Sequence, residues 1–196
     1  LLMRVKGPAR AILSAERPAL NILQHLSGIA TSTKHYVDKI SHCQAKLLDT
    51  RKTIPGYRKL AKYATNCGGA HNHRMGLFDA ILIKDNHIAA AGGIENAIKA
   101  TQTAGHTAIE VECDTLEQME EALQAGATRI LLDNMPPETL RKAVQLANGT
   151  VPLEASGGVD LNTIQAIAET GVDFISVGAA LTLSAPAVDI GLDFED

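Results

Sequence analysis

Tryptophan is absent from this 196-residue chain, and phenylalanine and tyrosine occur three times each. With aromatics at 3% and hydrophobic residues at 45%, the core has to be built from Ile, Leu, Val and Ala. That composition fits repeated strand–helix units better than an aromatic-rich β-sandwich. Cysteine is scarce as well. Cys43, Cys67 and Cys113 are odd in number, widely spaced and free of any C-x-x-C pair, which excludes a disulfide framework and points to reduced thiols in a cytosolic compartment. No apolar run approaches the roughly 20 residues needed to cross a bilayer, and the first residues lack the apolar stretch of a signal peptide. Positive charge is not in excess either. A formal net charge of -4 argues against a general nucleic-acid binder, although it is compatible with a local basic pocket. The expectation is a cytoplasmic protein with no membrane and no nucleic-acid partner, long enough for one good-sized core.

Residues 1–13 contain a Gly7-Pro8 break and read as the remnant of a linker or of a preceding domain. From Ser14 to about Ile40, Leu20, Leu23, Leu26, Ile29, Val37 and Ile40 recur at helical spacing. Pro18 is expected in the first turn of that helix, where its missing N–H costs nothing. Gly28, which costs about 1 kcal/mol inside a helix, is expected to pack closely against a neighbour. Seven short apolar runs then predict strands at 45–49, 69–73, 80–84, 107–113, 129–133, 151–155 and 173–177. Helical patterns lie between most of them, at 57–66, 94–104, 116–125, 138–147 and 161–170. Thr115 and Gln118 form a capping-box pattern, and Gly105, Gly126 and Gly171 stand where helix-ending glycines do.

Alternating strands and helices imply crossover connections and a parallel sheet. The predicted fold is α/β, a TIM-like barrel over residues 14–185, seven-stranded and incompletely closed, with 186–196 as a C-terminal strand or tail. An open doubly wound sheet is the rival. In either architecture, chemistry belongs at the C-terminal strand ends.

Those ends are unusually charged. Arg51-Lys52, His73-Arg74 and Lys84 each sit at or just after an apolar run. Any one of them alone reads equally as a solvated turn or surface strand; together they suit a heavily anionic substrate. Glu110 and Glu112 share one face of an alternating strand. If that face is a barrel interior they need cations or a metal; salt bridges at the rim are the alternative. Asp133 ends the next strand. Ser156-Gly157-Gly158 and Gly178-Ala179 follow strands and are read as opening helices, where free N–H groups and the helix dipole receive phosphate. Plain turn geometry would also place glycines there. The inventory fits a phosphorylated sugar meeting a multiply charged anion. His71-x-His73 with Glu112 and Asp133 leaves a metal-dependent barrel hydrolase open, although His106 precedes its strand and no histidine follows it.

Taken in order, Glu16-Arg17-Pro18-Ala19-Leu20-Asn21, Ser27-Gly28-Ile29-Ala30-Thr31, Asp49-Thr50-Arg51-Lys52-Thr53, Asn72-His73-Arg74 and Leu82-Ile83-Lys84-Asp85-Asn86-His87 resemble the quinolinate phosphoribosyltransferase family. Glu110-Val111-Glu112, Leu132-Asp133-Asn134, Glu154-Ala155-Ser156-Gly157-Gly158 and Ser176-Val177-Gly178 continue the resemblance over nearly the whole chain. It implies a pentosyltransferase of de novo NAD synthesis. Quinolinate and phosphoribosyl pyrophosphate would give nicotinate mononucleotide, pyrophosphate and CO2, with Mg2+. It further implies that Arg51, His73 and Arg74 bind the quinolinate carboxylates and that Lys52 and Lys84 lie near carboxylates and phosphates. Glu112 and Asp133 would hold ribose hydroxyls and Mg2+, and Ser156, Gly157, Gly178 and Ala179 would cradle phosphate. Lys52, Lys84, Glu112 and Asp133 form the implied catalytic set. Arg17 would serve the partner's site in a homodimer.

The chain departs from the family pattern in three places. An N-terminal α/β sandwich domain is expected to be largely absent. The motif at Gly178 carries an extra alanine, and Leu183 stands where a basic residue is common. Residues 187–192 resemble a final strand. A related transferase for another anion and an inactive barrel scaffold remain alternative readings.

Overall fold

In the computed structural model, which describes residues 1–194, Pro8 stands as the N-cap of a long helix, α1 (Ala9–Lys39). The helix begins well before Ser14, so Pro18 lies in its interior rather than in its first turn. The cost is moderated because the carbonyl that loses its helical donor belongs to Ser14, which is exposed and open to water. Gly28 behaves as expected. A Cβ there would lie 2.9 Å from the Pro186 carbonyl carbon and 3.1 Å from Ala187 Cα, so the glycine allows the C-terminal segment to lie directly on α1.

Six strands form one parallel sheet among the described residues: β1 (Lys46–Leu48), β2 (Ile81–Ile83), β3 (Ile109–Cys113), β4 (Arg129–Asp133), β5 (Leu153–Ser156) and β6 (Phe174–Ser176). Their order is β1-β6-β5-β4-β3-β2. Apart from the pairing of first with last, every neighbour is consecutive in sequence. The sheet is therefore singly wound and has no reversal point, unlike the doubly wound rival. The helices are α2 (Arg58–Cys67), α3 (Asp85–Ala91), α4 (Ile94–Thr103), α5 (Leu116–Gln124), α6 (Pro137–Ala147), α7 (Ile164–Ala168) and α8 (Ala179–Thr182).

The segment predicted as a strand at 69–73 is not one. It makes a single parallel bridge, Leu48 to His71, on the free edge of β1. Beyond that bridge its next N–H, that of His73, turns to the carboxylate of Asp49 instead of a backbone carbonyl. The sheet stays open between this segment and β2. The strand expected in 187–192 is also missing; Val188 N–H donates to Gln24 O (3.1 Å) and Gln24 Nε2 to Ile190 O (2.8 Å), tying an irregular segment to α1. Residues 195 and 196 of the expected C-terminal segment lie outside the described residues. None of the described helices is long and apolar enough to cross a membrane.

Period-two alternation divides the sheet into two chemical faces. Leu47, Ile83, Ile109, Val111, Ile130, Leu132, Leu153 and Ile175 are buried in the main core together with Ile98, Met119, Leu140 and Ile164 of the helices. The other face carries Glu110, Glu112, Arg129, Asp133, Glu154 and Ser156. Cross-strand register sets Glu110 beside Arg129 and Asp133 beside Ser156. Helix punctuation keeps the connections short. Thr115 Oγ1 accepts from the Gln118 N–H (3.2 Å), while the Gln118 side chain accepts the Asp114 N–H (2.6 Å).

Candidate active site

At the C-terminal strand ends, Arg51, Lys52, His73, Arg74, Lys84, Glu112, Asp133 and Ser156 line one cavity of about 260 Å³, together with Thr50, Glu154 and Ser176. Eight of the predicted site residues thus come from six separate segments to a single place. Gly157, with φ of 88°, packs on Asn134: a Cβ would lie 2.9 Å from the Asn134 nitrogen. Asn134 in turn donates to Asp133 Oδ2 (2.6 Å). Gly178 meets the stem of Lys52, where a Cβ would come within 3.0 Å of Cδ, and the hydroxyl of Thr182 on α8 donates to the Lys52 carbonyl. Gly178 and Ala179 are therefore held beside the Lys52 loop. Arg17 lies exposed on α1 and is not among the residues lining the cavity.

The cavity's cations are arranged against their own repulsion. Burial, and then the nearby Arg51, hold the Arg74 guanidinium below its ordinary value. Two guanidinium groups in that relation are prepared for an anion with more than one negative group. Lys84 pairs with Glu112, and the Lys84 N–H is fixed by His87 Nδ1 at 2.9 Å. Asp133 completes a pair of carboxylates with Glu112 on adjacent strands. Oxygen donors of this kind suit Mg2+, which takes one or two protein carboxylates and fills its other positions with water and substrate phosphate.

Beneath the cavity lies a network that sequence reasoning only half anticipated. Glu110 and Glu112 do share the inner face, and both meet cations. The partners of Glu110 are Arg129 (Nε to Oε1, 2.8 Å) and His73 (3.3 Å). Glu154, fully buried, also meets both Arg129 and His73, the latter at 3.4 Å. Arg129 stacks over the Phe174 ring at 4.2 Å. Burial disfavours the His73 cation, but the two carboxylates outweigh it and raise the ring pKa to about 9. The other ring nitrogen accepts the Arg74 N–H at 2.7 Å. Both nitrogens are thus engaged within the protein, and His73 meets a ligand only by exchanging a partner. Arg129 and Glu154 carried a signal in the sequence: they alternate with Leu131, Asp133 and Ser156 on the inner face.

His73, Glu110 and Glu154 place ligand-type atoms within 4.8 Å of one another. Arg129 already supplies positive charge there, and a protonated His73 would bring the four side chains to zero at the cost of the Arg74 N–H on Nδ1. The cluster is a salt-bridge network. His71 is not part of it, so the paired histidines of the hydrolase reading do not converge among the described residues.

The expected helix dipole after Ser156 is a further correction. Asp160 accepts the Asn162 N–H (2.7 Å) and the Thr163 N–H (2.9 Å) through its side chain, and this local turn delays α7 to Ile164. The Ser156-Gly157 loop offers backbone N–H groups without a helix behind them.

Comparison with known proteins agrees with this geometry. The family model for the quinolinate phosphoribosyl transferase C-terminal domain matches residues 29–193, and the model for the N-terminal domain of the same family matches residues 1–27. A solved structure of the nicotinate-nucleotide pyrophosphorylase from Francisella tularensis is 53% identical, with a TM-score of 0.88 over 92% of this chain and 65% of that one. A Bacillus subtilis (strain 168) protein named "Probable nicotinate-nucleotide pyrophosphorylase (carboxylating)" is 50% identical over 195 residues, 98% of this chain and 67% of that protein. A Mycobacterium leprae (strain TN) nicotinate-nucleotide pyrophosphorylase (carboxylating) is 48% identical over 196 residues, 98% of this chain and 69% of that protein. The chain spans about two thirds of the length of these relatives. With its charged cavity at the ends of a singly wound parallel sheet, it belongs to the quinolinate phosphoribosyl transferase family.

Proposed function

We propose that this protein transfers a phosphoribosyl group from phosphoribosyl pyrophosphate to quinolinate with loss of CO2, giving nicotinate mononucleotide and pyrophosphate in NAD biosynthesis. The observation that carries this reading is the meeting of Arg51, Lys52, Arg74 and Lys84 with Glu112 and Asp133 around one cavity. The open sheet is read as a TIM-like barrel left unclosed between β2 and the 69–73 segment.

Arg51 and Arg74 take the two quinolinate carboxylates through their planar forks, with His73 supporting that side of the site. Lys52 and Lys84 neutralise charge on the departing pyrophosphate, where preorganised cations stabilise a leaving group without reorganisation. As Lys84 passes from Glu112 to the anionic substrate, the freed Glu112 carboxylate holds ribose hydroxyls with Asp133. The quinolinate ring nitrogen attacks the anomeric carbon as pyrophosphate departs. The nitrogen becomes cationic, the adjacent carboxylate leaves as CO2 with the electron pair of the broken C–C bond held on the ring carbon beside that nitrogen, and a proton from solvent then completes the C–H bond of the product. Mg2+, held by Glu112 and Asp133, would neutralise phosphate charge. Ser156, Gly157, Gly178 and Ala179 receive the phosphate of the ribose. The active unit is read as a homodimer in which Arg17 reaches the partner's cavity.

The test is product formation from quinolinate and phosphoribosyl pyrophosphate with Mg2+, together with the Arg51→Ala variant. The variant is expected to bind quinolinate about 10–100-fold more weakly, the loss that goes with a charged hydrogen-bond donor. Unaltered quinolinate binding would remove the carboxylate assignment, and no binding by the unsubstituted protein would remove the substrate.

A further inference from the structure

Arg51-Lys52 and His73-Arg74 hang from two neighbouring segments that the backbone ladder does not hold together. His71 N–H donates to Leu47 O (2.8 Å) and Asp49 N–H to His71 O (3.2 Å), and there the ladder stops. In a continuing parallel ladder the His73 N–H would bond the Asp49 carbonyl. It bonds Asp49 Oδ1 instead, at 2.8 Å. From the other side, the ammonium of Lys62 on α2 donates to the same Oδ1 and to the His73 carbonyl, the latter at 2.9 Å. Thr65 Oγ1 (3.0 Å) and Asn72 Nδ2 (2.7 Å) donate to Oδ2. Asp49 and Lys62 are both buried, at 0% and 1% relative exposure.

A buried ion pair is weak evidence for stability, since well-packed apolar residues often replace one without loss. Apolar replacements, however, would leave both polar groups of the His73 peptide without these partners. The residue carried by that peptide link is Arg74, which faces repulsion from Arg51. Left to themselves, two such cations on adjoining loops would move apart.

We propose that Asp49 and Lys62 are positioning residues for the dicarboxylate site. They clamp the His73 backbone from both sides and keep Arg74 beside Arg51 on the wall of one cavity. The inference rests on the functional reading above, which assigns these two arginines to quinolinate.

The experiment uses the full chain with Lys62→Met, and with Thr65→Val as the milder variant that keeps the ion pair. Hydrogen exchange across 69–75 and separate binding constants for the two substrates are measured. In Lys62→Met, the His73 and Arg74 amides should exchange faster, and quinolinate should bind about tenfold or more weakly, as loss of a charged hydrogen bond predicts. The KM for phosphoribosyl pyrophosphate should hold, and Thr65→Val should shift the same readouts less. Equal losses for both substrates would indicate general destabilisation and overturn the clamp, as would unchanged exchange at His73. If Lys62→Met does not fold, Thr65→Val decides by the same readouts. Should the unsubstituted protein fail to bind quinolinate, the functional reading falls, while exchange at His73 still judges the clamp.

Discussion

Each glutamate on the inner face of the sheet meets a cation: Glu110 and Glu154 meet Arg129 and His73, and Glu112 meets Lys84. Removing His73, Glu110 or Glu154 from the buried part of this set leaves an uncompensated charge and costs roughly 3–5 kcal/mol, whereas the half-exposed Lys84 pair is worth less. The histidine makes the set sensitive to pH. Its folded pKa, about 9, is raised above the ordinary 6.5. The stability it contributes is therefore fully present below about pH 6.5 and is lost as pH rises through about 9. The Arg74 N–H on Nδ1 opposes the added proton and reduces the size of this contribution. Buried Cys113 does not titrate in that window, because burial, helped by Asp114 and Glu112, pushes its thiol to about 12. Denaturant midpoints between about pH 6 and about pH 9.5 should fall more steeply for the unsubstituted protein than for His73→Asn. Parallel profiles would mean that His73 does not gain a proton from these carboxylates. Much of this chemistry was legible in the sequence, since the cationic strand ends and the shared face of Glu110 and Glu112 follow from period-two spacing. Arg129 and Glu154 were harder to read, because their importance lies in partners supplied by other strands.

Among the elements, α1 shows how a local rule and a packing requirement compete. Alanine is the better helix former by about 1 kcal/mol. At position 28, however, its Cβ would press on Pro186 and Ala187 backbone atoms, which cannot swing aside as a side-chain tip can. Gly28→Ala is expected to lower stability by about 1–3 kcal/mol, the usual cost of overpacking. It should also speed exchange at the Val188 amide, which bonds Gln24 O. Thermal unfolding and hydrogen exchange check both, and a variant as stable as its parent would show that the segment does not pack there. The need for close approach at Gly28 could be read from the sequence, but the partner could not. The 69–73 segment failed as a strand for a related reason: alternation recorded its polar and apolar sides, but not the side-chain carboxylate that takes its N–H.

At the scale of the whole molecule, the proposed homodimer makes a prediction that no single subunit can satisfy. Arg17 lies exposed on α1 and outside its own cavity lining. If it serves the partner, mixing Arg17→Ala subunits with Arg74→Ala subunits should recover activity that neither shows alone. In a mixed two-fold dimer one site carries both lesions and the other carries none, so the recovery should approach roughly a quarter of the unsubstituted rate after random exchange. No recovery, with subunit exchange verified, would place Arg17 in its own subunit's chemistry or in none.

The sequence by itself determined the α/β rhythm, six of the eight described helices in outline, six of the strands and the residues that meet at their ends. These follow from side-chain period and turn chemistry, which act over a few residues. Only the tertiary structure decided the partners: Arg129 between Glu110 and Glu154, Asp49 against Lys62 and His73, Pro186 on Gly28, and a sheet left open beside β2. Those contacts depend on strand register and on which helix covers which edge. Both are set by burial across the whole chain, and no local spacing encodes them.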